Sequence, residues 1–224
     1  MIYSIPEGKH SFVFIGEAGC GKSELAVNLA CRLARGNMPV HLFDLDMTKP
    51  LFRTRDLEES LQKAGVTLHF EEQFMDAPTV SGGVMRLLRD ENACTVLDVG
   101  GDYIGARSIG GYAPLLNRPE TAVYYLVNPY RPWSGTLERL DRVLTEILSV
   151  SHLRFDQLLL AANPNLGEET RPEDIPEGVR RLEELLEGRW PIRFVAAEER
   201  HMTGIGTLIP YPLFPIRRYL TYPW

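Results

Sequence analysis

GEAGCGKS at residues 16–23 comes directly after an apolar run, residues 11–15, and directly before residues 24–30, whose apolar side chains have helical spacing. The pattern is G-x-x-x-x-G-K-S between a strand and a helix, which is the context that a phosphate-binding loop requires. Its glycines let backbone N–H groups turn towards an anion, and the start of the following helix adds positive potential. Lys22 would reach the β- and γ-phosphates, and Ser23 would offer a hydroxyl to Mg²⁺. The sequence therefore predicts a nucleotide-binding site at this loop.

Composition limits the class of protein. A length of 224 residues with 44% hydrophobic content suits one compact domain over residues 1–224. The formal net charge of −6 disfavours a general nucleic-acid-binding protein, because phosphate contacts require a basic surface. Cys20, Cys31 and Cys94 form no C-x-x-C pair, which disfavours a disulfide framework or a zinc site and indicates a reducing cytoplasm. We expect no membrane-spanning segment, since no apolar stretch reaches the necessary length.

Apolar patterning alternates between strands and helices along the chain. Strands are predicted at residues 11–15, 39–44, 66–70, 93–98, 122–127, 158–162 and 192–195. Helices are predicted at residues 21–35, 50–64, 81–88 with Ser81 as the N-cap, 134–148 and 179–186. This alternation predicts an α/β fold with three layers, in which helices cover both faces of a doubly wound, mostly parallel sheet, as in P-loop NTPases.

The segment from residue 210 to residue 224 has a different composition. It contains four prolines and five aromatic residues, so a long helix is excluded there. We predict an extended strap packed over the domain, with a segment that contacts a partner or a membrane as the alternative.

Acidic residues follow two of the predicted strands. In open parallel sheets, ligands bind beyond the carboxyl ends of the strands. Asp44-Leu45-Asp46 follows the second strand, and Asp98-Val99-Gly100-Gly101 ends the strand after Cys94. Carboxylates beside the phosphates are suited to holding a hydrated Mg²⁺, and Gly101 would let the backbone approach the γ-phosphate. The alternative is that each Asp simply caps the turn or helix that follows it.

These segments resemble P-loop ATPases of the MinD/ParA and nitrogenase iron-protein type, which belong to the wider signal-recognition-like (SIMIBI) class of NTPases. The resemblance extends from residue 12 to about residue 195. It implies that Asp46 orients the attacking water, that Asp98 holds the water shell of the metal, and that Asn163 contacts adenine; a turn-forming Asn163 is the alternative.

The residues predicted for the site fall into three groups. The catalytic pair is Lys22 and Asp46. The metal group is Ser23, Asp46 and Asp98. The nucleotide-binding group is Gly16, Glu17, Ala18, Gly19, Cys20, Gly21, Lys22, Ser23, Glu24, Gly101 and Asn163.

The chain departs from this family at one signature position. MinD/ParA proteins carry a lysine in the loop that reaches the partner's nucleotide across a dimer, whereas this sequence has Glu17 near that place. Arg107 or Arg131 could substitute, because a guanidinium stabilises charge on a phosphoryl group in the transition state; each could equally be a structural ion-pair residue. ATP is favoured over GTP because Thr48-Lys49-Pro50-Leu51 lacks the Asp of a guanine-specific motif.

The leading functional hypothesis is an ATP-driven switch. It would hydrolyse ATP with Mg²⁺, change the order of residues 44–54 and 98–111 when the γ-phosphate is lost, and thereby control binding to a protein partner or to a second copy. One alternative is a P-loop small-molecule kinase or an ATP-dependent ligase resembling dethiobiotin or cobyrinic acid amide synthetases. Another is an adaptor that binds nucleotide without hydrolysing it.

Overall fold

The computed structural model describes residues 1–46, 57–70 and 79–220, with side chains from residue 83 onwards in the last range. The strands are β1 Ser11–Gly16, β2 Val40–Leu45, β3 Val66–His69, β4 Cys94–Val99, β5 Thr121–Val127, β6 Leu158–Ala162, β7 Ile192–Glu198 and β8 Leu213–Ile216. The helices are α1 Lys22–Leu33, α2 Glu58–Lys63, α3 Thr79–Leu88, α4 Tyr103–Arg107, α5 Ala113–Leu116, α6 Leu137–Ser151, α7 Asp174–Leu186 and α8 Met202–Ile205.

The eight strands form one parallel sheet in the order β3-β2-β4-β1-β5-β6-β7-β8. Every residue of β1, β4 and β5 is buried, which requires cover on both faces of the sheet. Val13 and Ile15 pack into one core with side chains of α6 and α7, while Phe12 and Phe14 pack into a second core with side chains of α1. The predicted α/β fold with a parallel sheet between two helical layers is confirmed.

Strand register brings the acidic residues beside the loop. In the paired strands β2 and β4, Asp44 lies opposite Asp98, and Asp98 also lies opposite Phe14 of β1. Because β4 separates β1 from β2 and all three strands run in the same direction, their carboxyl ends meet at one edge of the sheet. This edge therefore holds both the loop after β1 and the acidic residues of β2 and β4.

Several helix boundaries differ from the predictions. Helix α6 begins at Leu137 rather than at residue 134, because Pro132–Ser134 forms a 3₁₀ turn and the Thr136 side chain caps the helix by accepting from the Arg139 amide at 3.3 Å. Helix α3 begins at Thr79, so the prediction that Ser81 is its N-cap is wrong. Of the helix predicted at residues 50–64, the described part is α2, and residues 50–56 lie outside the described residues.

The C-terminal segment contributes a strand that the sequence analysis did not assign. Residues Leu213–Ile216 pair in parallel with β7, and Leu213 also bridges to Ile2 near the N-terminus. Pro215 is compatible with this position because proline is tolerated in strands near the edge of a sheet. Residues 221–224 lie outside the described residues. Among the described helices, none has the length and apolar character needed to cross a bilayer.

Candidate nucleotide-binding site

Three glycines set the shape of the loop after β1. Gly16, Gly19 and Gly21 have φ angles of 141°, 73° and 101°, a region that side-chain-bearing residues rarely adopt. A Cβ atom at residue 16 would also lie 2.4 Å from the Leu126 carbonyl oxygen of β5, and one at residue 21 would lie 2.2 Å from Nδ2 of Asn163. Backbone conformation therefore favours glycine at all three positions, and close packing against neighbouring atoms favours it further at residues 16 and 21.

Lys22 is the first residue of α1 and is 1% exposed. Its ammonium group donates a hydrogen bond to the Glu17 carbonyl oxygen at 3.0 Å, so the loop folds around the end of the side chain. A carbonyl oxygen satisfies one donor of the ammonium group, and the half-buried Glu17 carboxyl group interacts electrostatically with its positive charge. Ser23 follows in the first turn of the helix and is also buried. This geometry fits a loop that wraps around an anion, with a cation and a hydroxyl at its helix end.

Gly101 brings the segment after β4 into contact with the loop. A Cβ atom at residue 101 would lie 2.5 Å from Cα of Ala18, so only glycine permits this approach. Asp102, the next residue, caps helix α4 by accepting from the Gly105 amide at 2.7 Å. The loop and the start of α4 are thus joined through one tight backbone contact.

Asp46 and Asp98 lie at the same edge of the sheet. Asp98 is 1% exposed near the end of β4. Asp46 follows β2; its amide donates to the Asp44 carboxylate at 3.1 Å, and its Oδ1 would lie 3.3 Å from a Cβ atom placed on Gly100. Carboxylates and a serine hydroxyl are the oxygen donors that Mg²⁺ prefers, so Ser23, Asp46 and Asp98 fit the ligand chemistry of a Mg²⁺–nucleotide site. Residues 47–54 of the first predicted switch segment lie outside the described residues.

Asn163 lies immediately after β6 and is buried against the loop. Its Nδ2 donates a hydrogen bond to the Cys20 carbonyl oxygen at 2.8 Å. The side chain therefore braces the loop, and contact with adenine stays a prediction. Asn128 follows β5 directly, as Asn163 follows β6, and the sequence analysis did not single it out. Its Nδ2 donates a hydrogen bond to the Asn165 carbonyl oxygen at 2.8 Å. The signal in the sequence is an Asn directly after a predicted strand.

The two arginines considered as substitutes for the missing lysine occupy different places. Arg131 contacts the loop, since its Nε donates to the Gly19 carbonyl oxygen at 3.1 Å. Arg107 is exposed in the last turn of α4 and, within the described residues, makes no hydrogen bond or ion pair with the loop. Glu17 is half-buried, and burial raises the pKa of its carboxyl group. Of the two arginines, the structure thus brings Arg131 to the loop.

The Glu24 side chain contacts the C-terminal segment. Its carboxylate accepts hydrogen bonds from the Tyr219 amide at 2.6 Å and the Leu220 amide at 3.2 Å. One helical turn later, Asn28 donates to the Arg217 carbonyl oxygen and accepts from the Arg217 amide, both at 2.8 Å. The Glu24 side chain therefore joins the C-terminal segment to α1, and contact of Glu24 with nucleotide stays a prediction.

This attachment predicts a pH-dependent stability. Burial raises the pKa of Glu24 from 4.5 to about 7, against the lowering effect of the Tyr219 and Leu220 amides. Between pH 4.5 and about pH 7, the folded chain therefore binds more protons at Glu24 than the unfolded chain does. As pH rises through this range, the contribution of Glu24 to the free energy of unfolding falls by about 3 kcal/mol in total. We expect Glu24→Gln to remove this contribution, so that the difference in unfolding free energy between the two proteins changes with pH.

The measurement is urea unfolding at several pH values from 5 to 8. The exposed Glu7→Gln is the control and should follow the wild type throughout. If Glu24→Gln and the wild type differed by a constant amount at all these pH values, the assignment of the titration to Glu24 would be wrong.

No protein-family model matches the sequence, and no curated protein matches it. Solved structures do match the fold. FtsY from Thermotoga maritima superposes with a TM-score of 0.54 at 16% identity over 88% of this chain, and FlhF complexed with GTP/Mg²⁺ does so with a TM-score of 0.54 at 12% identity over 85%. Chloroplast FtsY from Physcomitrella patens gives a TM-score of 0.51 at 16% identity over 87%. The matched regions span 64%, 66% and 60% of those proteins, so this chain corresponds to less than two thirds of each.

These similarities establish the fold. The chain shares with these proteins the P-loop NTPase fold, an α/β fold with a parallel sheet between helical layers. FtsY and FlhF are not of the MinD/ParA type, so these similarities support the resemblance at the level of the fold alone.

Proposed function

We propose that this chain is a Mg²⁺-dependent, ATP-hydrolysing switch of the MinD/ParA type. The observation that carries the proposal is the contact of Gly101 with Ala18, because it joins the loop that would hold the phosphates to the start of α4. Gain or loss of a γ-phosphate at this contact would move the backbone of residues 100–102 and, through the Asp102 cap, the helix. In this mechanism Lys22 binds the phosphates, Ser23 and Asp98 hold the metal, and Asp46 orients the attacking water.

ATP is the proposed nucleotide. The segment after β6 reads Asn163-Pro164-Asn165-Leu166, which has neither the Lys nor the Asp of a guanine-specific motif. The Oδ1 atom of Asn163 is buried and has no hydrogen-bond partner among the described residues. An acceptor of this kind is suited to the exocyclic amine of adenine, whereas the O6 atom of guanine would require a donor.

Exposed apolar side chains near the site support an output through protein binding. Tyr103 and Ile104 on α4 are 47% and 58% exposed, and Trp133, two residues after Arg131, is 53% exposed. Aromatic side chains in such a position are typical anchors of protein interfaces. A movement of α4 would change the apolar surface that a partner or a second copy meets. We propose that Arg131 takes the place of the missing lysine, since it already contacts the loop.

The test is phosphate release from Mg²⁺–ATP and from Mg²⁺–GTP, with the mass in solution measured in parallel with and without a non-hydrolysable ATP analogue. We expect slow release that favours ATP, and a change in mass or shape with the analogue. Release that favours GTP would overturn the base assignment. An absence of release from either nucleotide, together with an unchanged monomer, would overturn the switch.

A further inference from the structure

A cavity lies at the opposite edge of the sheet from the loop at residues 16–23. It has a volume of about 440 Å³, and its wall includes Thr121 at the start of β5, Leu159 near the start of β6 and Arg193 near the start of β7. Because all the strands are parallel, their amino-terminal ends lie at the edge away from the candidate nucleotide site. Strands of five to seven residues separate the two edges by roughly 20 Å. The cavity is therefore a separate site.

The charge of this cavity is opposite to that of the chain. Its wall carries Lys9, Arg118, Arg154 and Arg193 but no Asp or Glu, although the chain has a formal net charge of −6. Arg154 is neutralised by Asp156, which lies outside the wall. Within the described residues, neither Arg118 nor Arg193 has a carboxylate within ion-pair distance. A concentration of positive charge without counter-charges favours an anionic ligand.

Lys9 is held in place without being neutralised. Its ammonium group donates to the carbonyl oxygens of Pro119 and Thr121, the latter at 3.0 Å. Carbonyl oxygens fix the position of the amine but carry no net charge, so its positive charge remains for a ligand. Three cations, Lys9, Arg118 and Arg193, thus border the cavity without a carboxylate of the described residues at ion-pair distance.

One wall of the cavity is an ordered polar network. Asn117 accepts from Nε2 of Gln157 at 2.5 Å and from the Arg154 amide at 3.0 Å, and it donates to the His152 carbonyl oxygen at 2.9 Å. This network joins the segment before β5 to the segment before β6. The wall is therefore fixed by the fold and does not depend on long surface side chains alone.

We infer that this cavity binds a small organic phosphate. The three cations are sufficient to balance the two negative charges of a phosphate monoester, and they offer charge-assisted hydrogen bonds to its oxygens. The volume exceeds that of a phosphate group alone, and Pro6, Pro119 and Leu159 offer apolar surface to an organic group attached to it. The proposal does not depend on the function proposed for the loop.

The probe for this site is phenylphosphonate, which combines a dianion with a small apolar ring and is not hydrolysed. Calorimetric titration should give saturable binding to the wild type, and benzyl alcohol, which lacks the charge, should bind at least about tenfold more weakly. The double variant Arg118→Glu/Arg193→Glu should weaken phenylphosphonate binding by at least about tenfold. The neutral double variant Arg118→Gln/Arg193→Gln should also weaken phenylphosphonate binding. It tests the same two side chains if the glutamate variant does not fold.

Two controls separate this site from the loop and from general charge. Saturable binding of phenylphosphonate should persist in Lys22→Ala, which removes the cation of the loop, since Lys22 lies at the other edge of the sheet. Arg142→Glu/Arg171→Glu makes the same change of net charge at two exposed residues outside the cavity and should also leave binding unchanged. The inference is overturned if the wild type does not bind, if both Arg118/Arg193 variants bind normally, or if Lys22→Ala abolishes binding.

Discussion

Replacing Lys22 by alanine is expected to weaken binding of Mg²⁺–ATP by at least about 100-fold. The ammonium group of Lys22 lies inside the loop, bonded at 3.0 Å to the Glu17 carbonyl oxygen and 1% exposed, so no other cation can easily replace it. Burial of this charge is itself costly, so the charge stabilises the fold little. The variant should therefore stay folded while losing affinity.

Titration calorimetry on wild type, Lys22→Ala and Lys63→Ala measures this effect. Lys63 is a matched control, since its side chain is 79% exposed on α2 and its ion pair with Glu59 lies on the surface. Lys63→Ala should bind as the wild type does. Unchanged affinity in Lys22→Ala would show that the phosphates bind elsewhere.

Replacing Asp46 by alanine is expected to slow hydrolysis by at least about 100-fold while changing ATP affinity by no more than about threefold. Asp46 is placed beside Gly100, next to the segment that contacts the loop, and its amide is fixed by the Asp44 carboxylate. A carboxylate in this position can orient a water molecule for attack, whereas the loop and Lys22 supply the binding energy.

Single-turnover phosphate release and a binding titration separate these two effects. Asp141→Ala on the exposed face of α6 is the control and should behave as the wild type does in both. Equal binding defects in Asp46→Ala and Lys22→Ala would contradict the separate roles assigned to the two residues.

The strands and the loop were predictable because their signals are local. A run such as residues 11–15 is buried on both faces, and the G-x-x-x-x-G-K-S pattern requires a strand before it and a helix after it. The position of Asp98 was predictable for the same reason, because it stands at the end of an apolar run. In a parallel sheet this places it at the edge formed by the carboxyl ends of the strands.

The parts that the sequence analysis missed depend on contacts between distant residues. Strand β8 contains Pro215, and proline argues against a strand unless the segment is known to lie near the edge of the sheet. The contact of Glu24 with Tyr219 joins residues 195 positions apart, and nothing in the local sequence of either residue indicates it. The cavity bordered by Lys9, Arg118 and Arg193 likewise draws on three separate segments.

We propose above all that residues 16–23, with Gly101 packed against them, bind a nucleoside triphosphate. Calorimetric titration of the wild type with Mg²⁺–ATP and with Mg²⁺–GTP tests it most directly. We predict saturable binding of one nucleotide per chain, tighter for ATP and weakened by at least about 100-fold in Lys22→Ala. An absence of saturable binding for both nucleotides by a folded chain would contradict the account.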